Sequence, residues 1–501
     1  MTFSLTELFY FILLAPPIFA AIAATGLLKG DFLHWINRLV ALSVGAAAAC
    51  FLVQFDADEV FNDWYFYMDS LSLWMVLIII TLYQAFAWTS RAYLDRDKNI
   101  RYGYLRRFQH LEGRFYALSH LFVWTMLLVV VVNNLGLMWV TIEMTTLVST
   151  LLVAFKYTRT SLEAAWKYVM VCTVGICLAL LGTILIYYAQ IDALGTTQNA
   201  LDWQYLAANS SGFNPMLATI AFCFVFVGYG TKAGLAPMHA WLPDAHSEAP
   251  ALTSGLLSGA LCICAIYVML RNIIVLLPAI GVDFISELCL VFGLLTIGLA
   301  IPFVVVQRDL KRMLAYSSME NFGLMIAGFG LFLPISTEAG LLHMMNHALV
   351  KYALFYTAGT IMEAYSTKNM MRIHGMFSQS PRTAFFWLIG IVGILGMPPM
   401  GIFFSKFYII SGFFKAGHAW QGILTLVLLA GILFGILYHV LRMVGNRPTR
   451  RSAGELLGTA DTIVLTILLF GSGLLGATIE ELPHLGALLK NAAAIIVGGA
   501  V

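Results

Sequence analysis

The chain has 501 residues, of which 60% are hydrophobic and only 11% charged, with a net charge of +2. A soluble globular domain carries about 25% charged residues, so the composition excludes one and gives an all-α polytopic membrane protein. The lipid bilayer is therefore an expected partner and nucleic acid is not. The cysteines (Cys50, Cys172, Cys177, Cys223, Cys262, Cys264 and Cys289) lie in or beside apolar segments, at no spacing used for zinc or iron–sulfur sites.

Apolar windows of about 20 residues mark fourteen helices, near 5–28, 36–54, 71–90, 115–132, 134–155, 165–190, 216–241, 251–271, 285–306, 312–333, 338–364, 384–413, 420–441 and 461–479. The first is read as a membrane helix and not a removed signal, because Met1 to Leu28 is too long and lacks a basic start. The tail after Leu482 is expected to lie on the membrane or in a partner.

The positive charges test this count. Lys29 and Arg38 fall in the first connection, and Arg91, Arg96, Lys98, Arg101, Arg106, Arg107 and Arg114 in the third. Lys156, Arg159 and Lys167 fall in the fifth, Arg308, Lys311 and Arg312 in the ninth, and Lys368, Arg372 and Arg382 in the eleventh. Arg442, Arg447, Arg450 and Arg451 fall in the thirteenth. The even connections hold Arg271 and Lys415, while Asp56, Asp58, Glu59, Asp63, Asp192 and Asp202 gather there. The positive-inside rule then puts the odd connections in the cytoplasm and both termini outside.

Besides Lys490 in the tail, the basic residues left over are Lys232, Lys351 and Lys406, which lie inside apolar windows, as does Glu143 close to the centre of the fifth. A lysine near the bilayer centre costs roughly 3 kcal/mol or more, and such residues mark an ion path by default. Lys232 is followed by Pro237, and Lys406 follows Pro398 and Pro399, so each lysine lies near a helix break. The two broken segments are five helices apart and so run in opposite directions, the sequence pointer to inverted repeats. Glu143 and Lys232 are candidates for an ion pair that opens and closes; the plainer reading is a fixed pair. Lysine suits the first role because it releases a proton when its partner leaves.

His239, Asp244, His246 and Glu248 follow Pro237 and are read as shaping a water-filled inlet or capping helices, not as metal ligands. Asp69 is a helix cap, and Asp309 to Ser318 an anchoring turn. His343, His347 and Lys351 recur every four residues and share one helix face, a proton ladder in which one histidine can instead be structural. Heme would need histidines on facing helices, so no cofactor and no metal is expected. Lys406 is the natural last proton site, unless it only snorkels to the interface.

These segments resemble the antiporter-like subunits shared by respiratory complex I, the Mrp sodium/proton antiporters and membrane-bound hydrogenases. The matching pieces are Asp69 to Ser72, the Glu143 segment, Gly230 to Pro250, Asp309 to Ser318, His343 to Lys351, and Gly396 to Lys406. Ser161 to Tyr168, Val132 to Thr146 and Met238 to Pro250 look like the component F subunits of hydrogenase-4 and formate hydrogenlyase-type complexes. The resemblance implies two inverted five-helix repeats with discontinuous helices 7 and 12. It divides the chain into 1–110, 111–275 (helices 4 to 8), 276–445 (helices 9 to 13) and 446–501. It also implies a proton path over Glu143, Lys232, His343, His347, Lys351 and Lys406, to which the reading of the residues adds an inlet at His239, His246 and Glu248 and helix breaks at Pro237, Pro398 and Pro399. Relatives often carry a lysine or histidine on the eighth helix. Here Ser254 to Cys262 has none, so the link between halves would run through water and hydroxyls such as Ser254 or Ser258.

The reading is a proton-translocating subunit of a redox-driven complex. A proton would enter near His246 and Glu248, load Lys232, and pass by His347, His343 and Lys351 to Lys406. Hydrogenase-like or complex I-like partners would hold the redox centres, since nothing in this chain binds nickel, flavin or iron–sulfur clusters. The rivals are a sodium/proton antiporter, the membrane half of an inorganic-carbon accumulating complex with a zinc carbonic-anhydrase-like partner, and a scaffold with a vestigial path.

Overall fold

The structure is a computed structural model and describes residues 4–101, 108–445 and 452–498. Lys98, Arg101, Arg106, Arg107, Arg447, Arg450 and Arg451 lie outside the residues whose side chains are described. The chain folds as helices α1 (Leu5–Ala24), α2 (Gly30–Gln54), α3 (Ser70–Arg101), α4 (Phe108–Val131), α5 (Leu135–Val153) and α6 (Arg159–Leu194). The broken α7a (Pro215–Ala233) and α7b (Trp241–Glu248) precede α8 (Ala251–Ile280), α9 (Val282–Val306), α10 (Leu310–Phe329) and α11 (Pro334–Tyr365). The broken α12a (Pro381–Leu395) and α12b (Gly401–Lys415) precede α13 (Ala419–Gly445), α14 (Thr459–Thr478) and α15 (Pro483–Gly498). A hairpin of β1 (Phe61–Asp63) and β2 (Phe66–Met68), between α2 and α3, is the one sheet among the described residues.

Every apolar window of the sequence coincides with one of these helices or broken pairs. Among the described residues, eleven are long and apolar enough to cross a membrane by themselves. The three remaining windows are α10, α11 and the broken α12, which carry Lys311, Glu320, His343, His347, Lys351 and Lys406. The outer helices turn large apolar side chains outwards, among them Ile18, Leu42, Val174, Val427, Phe434 and Leu474. That is the distribution a lipid-facing surface requires, and the reverse of a soluble domain. α8 is the opposite case: its 251–277 stretch is buried throughout, so it forms the axis on which the other helices pack.

Helix ends follow local chemistry. Asn134, Asn214 and Asp309 accept hydrogen bonds from the first free backbone N–H groups of α5, α7a and α10. Pro215, Pro334 and Pro381 occupy first positions, where a missing N–H does no harm. α7a ends at Gly234 (φ +81°) and α12a at Gly396 (φ +74°), left-handed positions that glycine adopts without steric strain.

The structure corrects four readings. Arg271 is not in a connection: α8 continues through it to Ile280, and the side chain is fully buried. It donates to both carboxylate oxygens of Asp69 at 2.7 and 2.5 Å and to Tyr267 Oη and Ser72 Oγ, with the Trp203 ring 4.3 Å away. Asp69 accepts the Ser72 N–H, as a cap does, but its larger task is this ion pair. α8 therefore does carry a charged group. Lys311 is likewise no loop cation, because it lies in the first turn of α10, fully buried, with Nζ donating to Ala249 O at 2.5 Å. Residues 241–248 form a helix, and the tail after Leu482 folds back as α15 onto α3 and α11 of its own chain.

Removing one member of a buried ion pair strands the other, at about 3–5 kcal/mol. Asp69→Asn or Arg271→Met alone should therefore lower the thermal unfolding temperature of the detergent-solubilised protein, whereas Asp69→Leu combined with Arg271→Met should recover part of the loss. Unchanged melting in both single variants would contradict the assignment.

Candidate functional site

Lys232 lies in the last turn of α7a and is fully buried. Its Nζ donates to Thr146 Oγ1 at 2.7 Å and Tyr168 Oη at 2.8 Å, and sits 5.0 Å from the Tyr168 ring. Tyr168 in turn shares a hydrogen bond with Ser149 at 2.7 Å. Glu143, one turn before Thr146 on α5, accepts from Thr146 Oγ1 at 3.1 Å and from Thr173 Oγ1 at 3.1 Å. Glu143 and Lys232 are thus not in direct contact. One hydroxyl stands between them, accepting from the ammonium and donating to the carboxylate. This arrangement is a one-hydroxyl relay between a cation and an anion.

The break that follows finds partners for freed backbone groups, as membrane depth demands. The Leu235 N–H returns to Gly230 O at 2.9 Å, Ala236 N–H reaches Thr296 Oγ1 on α9 at 3.0 Å, and the Trp241 indole caps Thr231 O at 2.8 Å. The expected inlet residues then diverge. His239 is half-buried against Phe303 and Tyr316, and Asp244 pairs with Lys167 and Arg312. Glu248 holds Lys368 at 2.8 Å and Thr160 at 2.8 Å. His246 is fully buried, stacked on Phe355 with centroids 5.1 Å apart, and neither ring nitrogen has a partner. The four side chains thus engage separate neighbours.

The α11 ladder is present: His343 and His347 stack with centroids 6.5 Å apart, and Lys351 lies one turn further. Lys351 Nζ donates to Leu314 O at 2.6 Å and to Ser317 Oγ, both on α10. His347 is buried with both nitrogens unpartnered. His343 is held on both sides, Nε2 by Asn321 Oδ1 at 2.9 Å and Nδ1 by Ser405 Oγ at 2.8 Å.

Lys406, on α12b just after the Pro398-Pro399 break, does not snorkel. It is 7% exposed and binds Glu320 Oε1 on α10 at 2.8 Å. The other Glu320 oxygen accepts from Asn321 Nδ2 at 2.7 Å. Sequence reasoning missed Glu320 and Asn321, although a lone carboxylate inside an apolar window is the same signal that Glu143 gives. The five-helix offset also points to them: Glu143 on α5 stands to Lys232 on α7 as Glu320 on α10 stands to Lys406 on α12.

Of the hydroxyls expected to link the halves, Ser258 does reach the second half and Ser254 does not. Ser254 Oγ donates to His246 O at 2.8 Å, and Ser258, in a π-helical turn of α8 (Leu257–Leu261), meets Ser318 of α10 at 2.7 Å. Two cavities lie at opposite ends of α11. One of about 460 Å³ is lined by Lys156, Lys311, Glu363 and Lys368. The other, about 240 Å³, is lined by Glu338, Phe404, Tyr408, Glu480 and Lys490.

Comparisons with known proteins bear on this arrangement. The family described as "NADH:quinone oxidoreductase/Mrp antiporter, TM" matches residues 132–433, which include Glu143, both breaks, the α11 ladder and Lys406. The chain is 34% identical over 416 residues to a hydrogenase-4 component F homolog of Methylacidiphilum infernorum, covering 82% of this chain and 84% of that protein. It is 30% identical over 357 residues to hydrogenase-4 component B of Escherichia coli, covering 68% of this chain but only 50% of that longer protein. A chain of the membrane-bound sulfane sulfur reductase, an archaeal respiratory membrane complex, superposes with a TM-score of 0.84 over 99% of this chain and 100% of its own length. Its sequence identity is 20%, so this likeness speaks to the fold alone. With the family match spanning more than half of the sequence, the chain belongs to the NADH:quinone oxidoreductase/Mrp antiporter family of membrane proteins.

Proposed function

We propose that the chain is a proton-translocating subunit of a redox-driven membrane complex of the hydrogenase-4, formate hydrogenlyase or complex I kind. Its partners would hold the redox centres. It would lie in a bacterial inner membrane with both termini outside, a reading supported by the basic residues of the odd connections. Residues 111–275 and 276–445 would be two inverted repeats, with 1–110 and 446–501 flanking them.

The observation that carries this reading is the pair of buried lysines. Lys232 and Lys406 each sit at a helix break, and each is connected to a buried or half-buried carboxylate, one through Thr146 and one directly. A lysine so placed can hold or release a proton as its partner approaches or withdraws, which an arginine cannot do. The proton would enter near His246 and Glu248, beside the cavity of about 460 Å³, and load Lys232 through groups that include His239. It would then cross to Lys351 and follow His347 and His343 to Lys406. This order along α11 differs from the sequence-based one, which put Lys351 last before Lys406, because His343 is the member bonded to the Lys406 network. The cavity at the Glu338 end of α11 offers the exit.

The test is proton uptake by membrane vesicles carrying the assembled complex, followed with a pH-sensitive dye. Lys232→Ala should lower translocation per redox turnover by about a hundredfold, the scale of losing a positioned proton carrier. Lys232→Arg should do the same despite keeping its charge, because arginine does not release its proton. Normal translocation in both would sink the reading.

The Thr146 bridge makes a separate claim. Thr146→Val keeps the shape but removes the hydroxyl between Lys232 and Glu143, and should slow translocation about tenfold while leaving melting within about 1 kcal/mol of wild type. A rate indistinguishable from wild type would show that Lys232 and Glu143 communicate by another route.

A further inference from the structure

We propose that Glu320 is a gating carboxylate of the second half: it holds Lys406 charged and, through Asn321, dictates which nitrogen of His343 carries a proton. The proposal rests on the proton-translocation reading and adds to it a residue outside the sequence-derived path.

The hydrogen bonds leave little freedom. Asn321 Nδ2 lies 2.7 Å from Glu320 Oε2 and 2.6 Å from Ser317 O, so both of its N–H groups are spent on acceptors. Turning the amide over would set its oxygen against a carboxylate and a carbonyl. Asn321 Oδ1 therefore faces His343, and His343 Nε2, 2.9 Å away, must be the donor. The other nitrogen, Nδ1, faces Ser405 Oγ at 2.8 Å, and that hydroxyl has a second acceptor, Ile402 O, at 3.1 Å. With neutral His343, Ser405 donates to Nδ1. With protonated His343, Nδ1–H donates to Ser405, which turns its hydrogen to Ile402 O. Both charge states are satisfied by rotating one hydroxyl, with no heavy atom moving.

The ion pair differs from a structural one in the same protein. Arg271 and Asp69 make a two-pronged contact, walled in by the rings of Trp203, Tyr67 and Tyr267, and arginine stays protonated. Lys406 meets Glu320 by a single contact, and its only other hydrogen bond among the described residues is a long one of 3.5 Å to Ile394 O. Lys351, His343 and His347 on α11 and Lys406 on α12b are the titratable groups around Glu320 on its own network. The cycle follows. Lys406 loses one proton towards the exit, breaking an N–H bond and leaving a neutral amine beside an uncompensated carboxylate. That negative charge favours a proton on His343 Nδ1, delivered along α11. The proton then leaves His343 for the Lys406 lone pair and restores the ion pair, with one proton moved and none gained or lost.

The experiment compares E320Q, E320D and K232A in the same vesicle assay, with assembly and melting measured on each complex. E320Q should assemble normally and translocate at least about tenfold less per redox turnover, and E320D should regain a large part of the loss, as a working carboxylate does. Normal translocation in E320Q with K232A blocked would overturn this proposal and leave the broader reading intact. Normal translocation in both would overturn the two together. Should E320Q fail to assemble, N321A decides: it leaves the ion pair in place, and a reduction of about threefold or more supports the network, whereas a wild-type rate overturns it.

Discussion

A full charge inside a low-dielectric protein needs a partner, and the helix arrangement here answers to that need more than to any other. Lys232, Lys311, Lys351, Lys406 and Arg271 are all buried in a chain whose interior is mostly apolar. Each finds oxygen: hydroxyls for Lys232, backbone carbonyls for Lys311 and Lys351, carboxylates for Lys406 and Arg271. No helix can supply these partners from its own sequence. The cation on one helix therefore fixes which neighbour must lie beside it, and hydrophobic packing fills in around those choices.

The kind of oxygen sorts the cations by mobility. Arg271, gripped by Asp69 and three aromatic rings, ties α3 to α8 permanently, and α8 is the axis of the fold. The lysines are held instead by one or two hydrogen bonds apiece, in a network whose hydroxyls have alternative partners. Thr146 can turn towards Glu143 or Ile142 O, and Ser405 towards His343 or Ile402 O. A rigid axis carrying loosely held ammonium groups on either side is what proton transfer requires: carriers that change partners within a frame that does not move.

What the sequence revealed, and what it hid, follows from the same physics. Lys232, Lys351 and Lys406 were legible because a lysine in an apolar window is too costly to be accidental. The breaks were legible because Pro237 and the Pro398-Pro399 pair cannot continue a helix. Arg271 was hidden because a hydropathy window ends at its first charge; only Asp69, 202 residues away in sequence, tells that the helix goes on. Lys311 looked like a loop cation because its acceptors, Ser247 O and Ala249 O, lie on another element. α7b fell outside the seventh window, which ends at 241, because Asp244, His246 and Glu248 make it polar; its Pro243 falls within the first three residues of the helix, where no N–H is needed. Glu320 was available to be read and passed over, since its meaning lies in its distance from Lys406.

The two breaks carry their lysines in opposite order, Lys232 before its proline and Lys406 after, and this apparent mismatch has a physical resolution. Position 232 is in the last turn of a half-helix, the end whose partial negative charge favours a cation. Position 406 is near the start of a half-helix, the end that disfavours one. Yet the Lys406 side chain folds back across the break until Nζ is 3.5 Å from Ile394 O, in the last turn of α12a. Gly396 makes room for it, since a Cβ there would stand 2.9 Å from Lys406 Cδ. Both ammonium groups thus belong to the C-terminal end of the first half-helix, whatever side of the break they come from. Lys406 reaches that end at full stretch and against the dipole of its own helix, so hydroxyls do not suffice and a carboxylate, Glu320, touches it directly. Lys232 has the dipole in its favour, and Glu143 can stand one hydroxyl away.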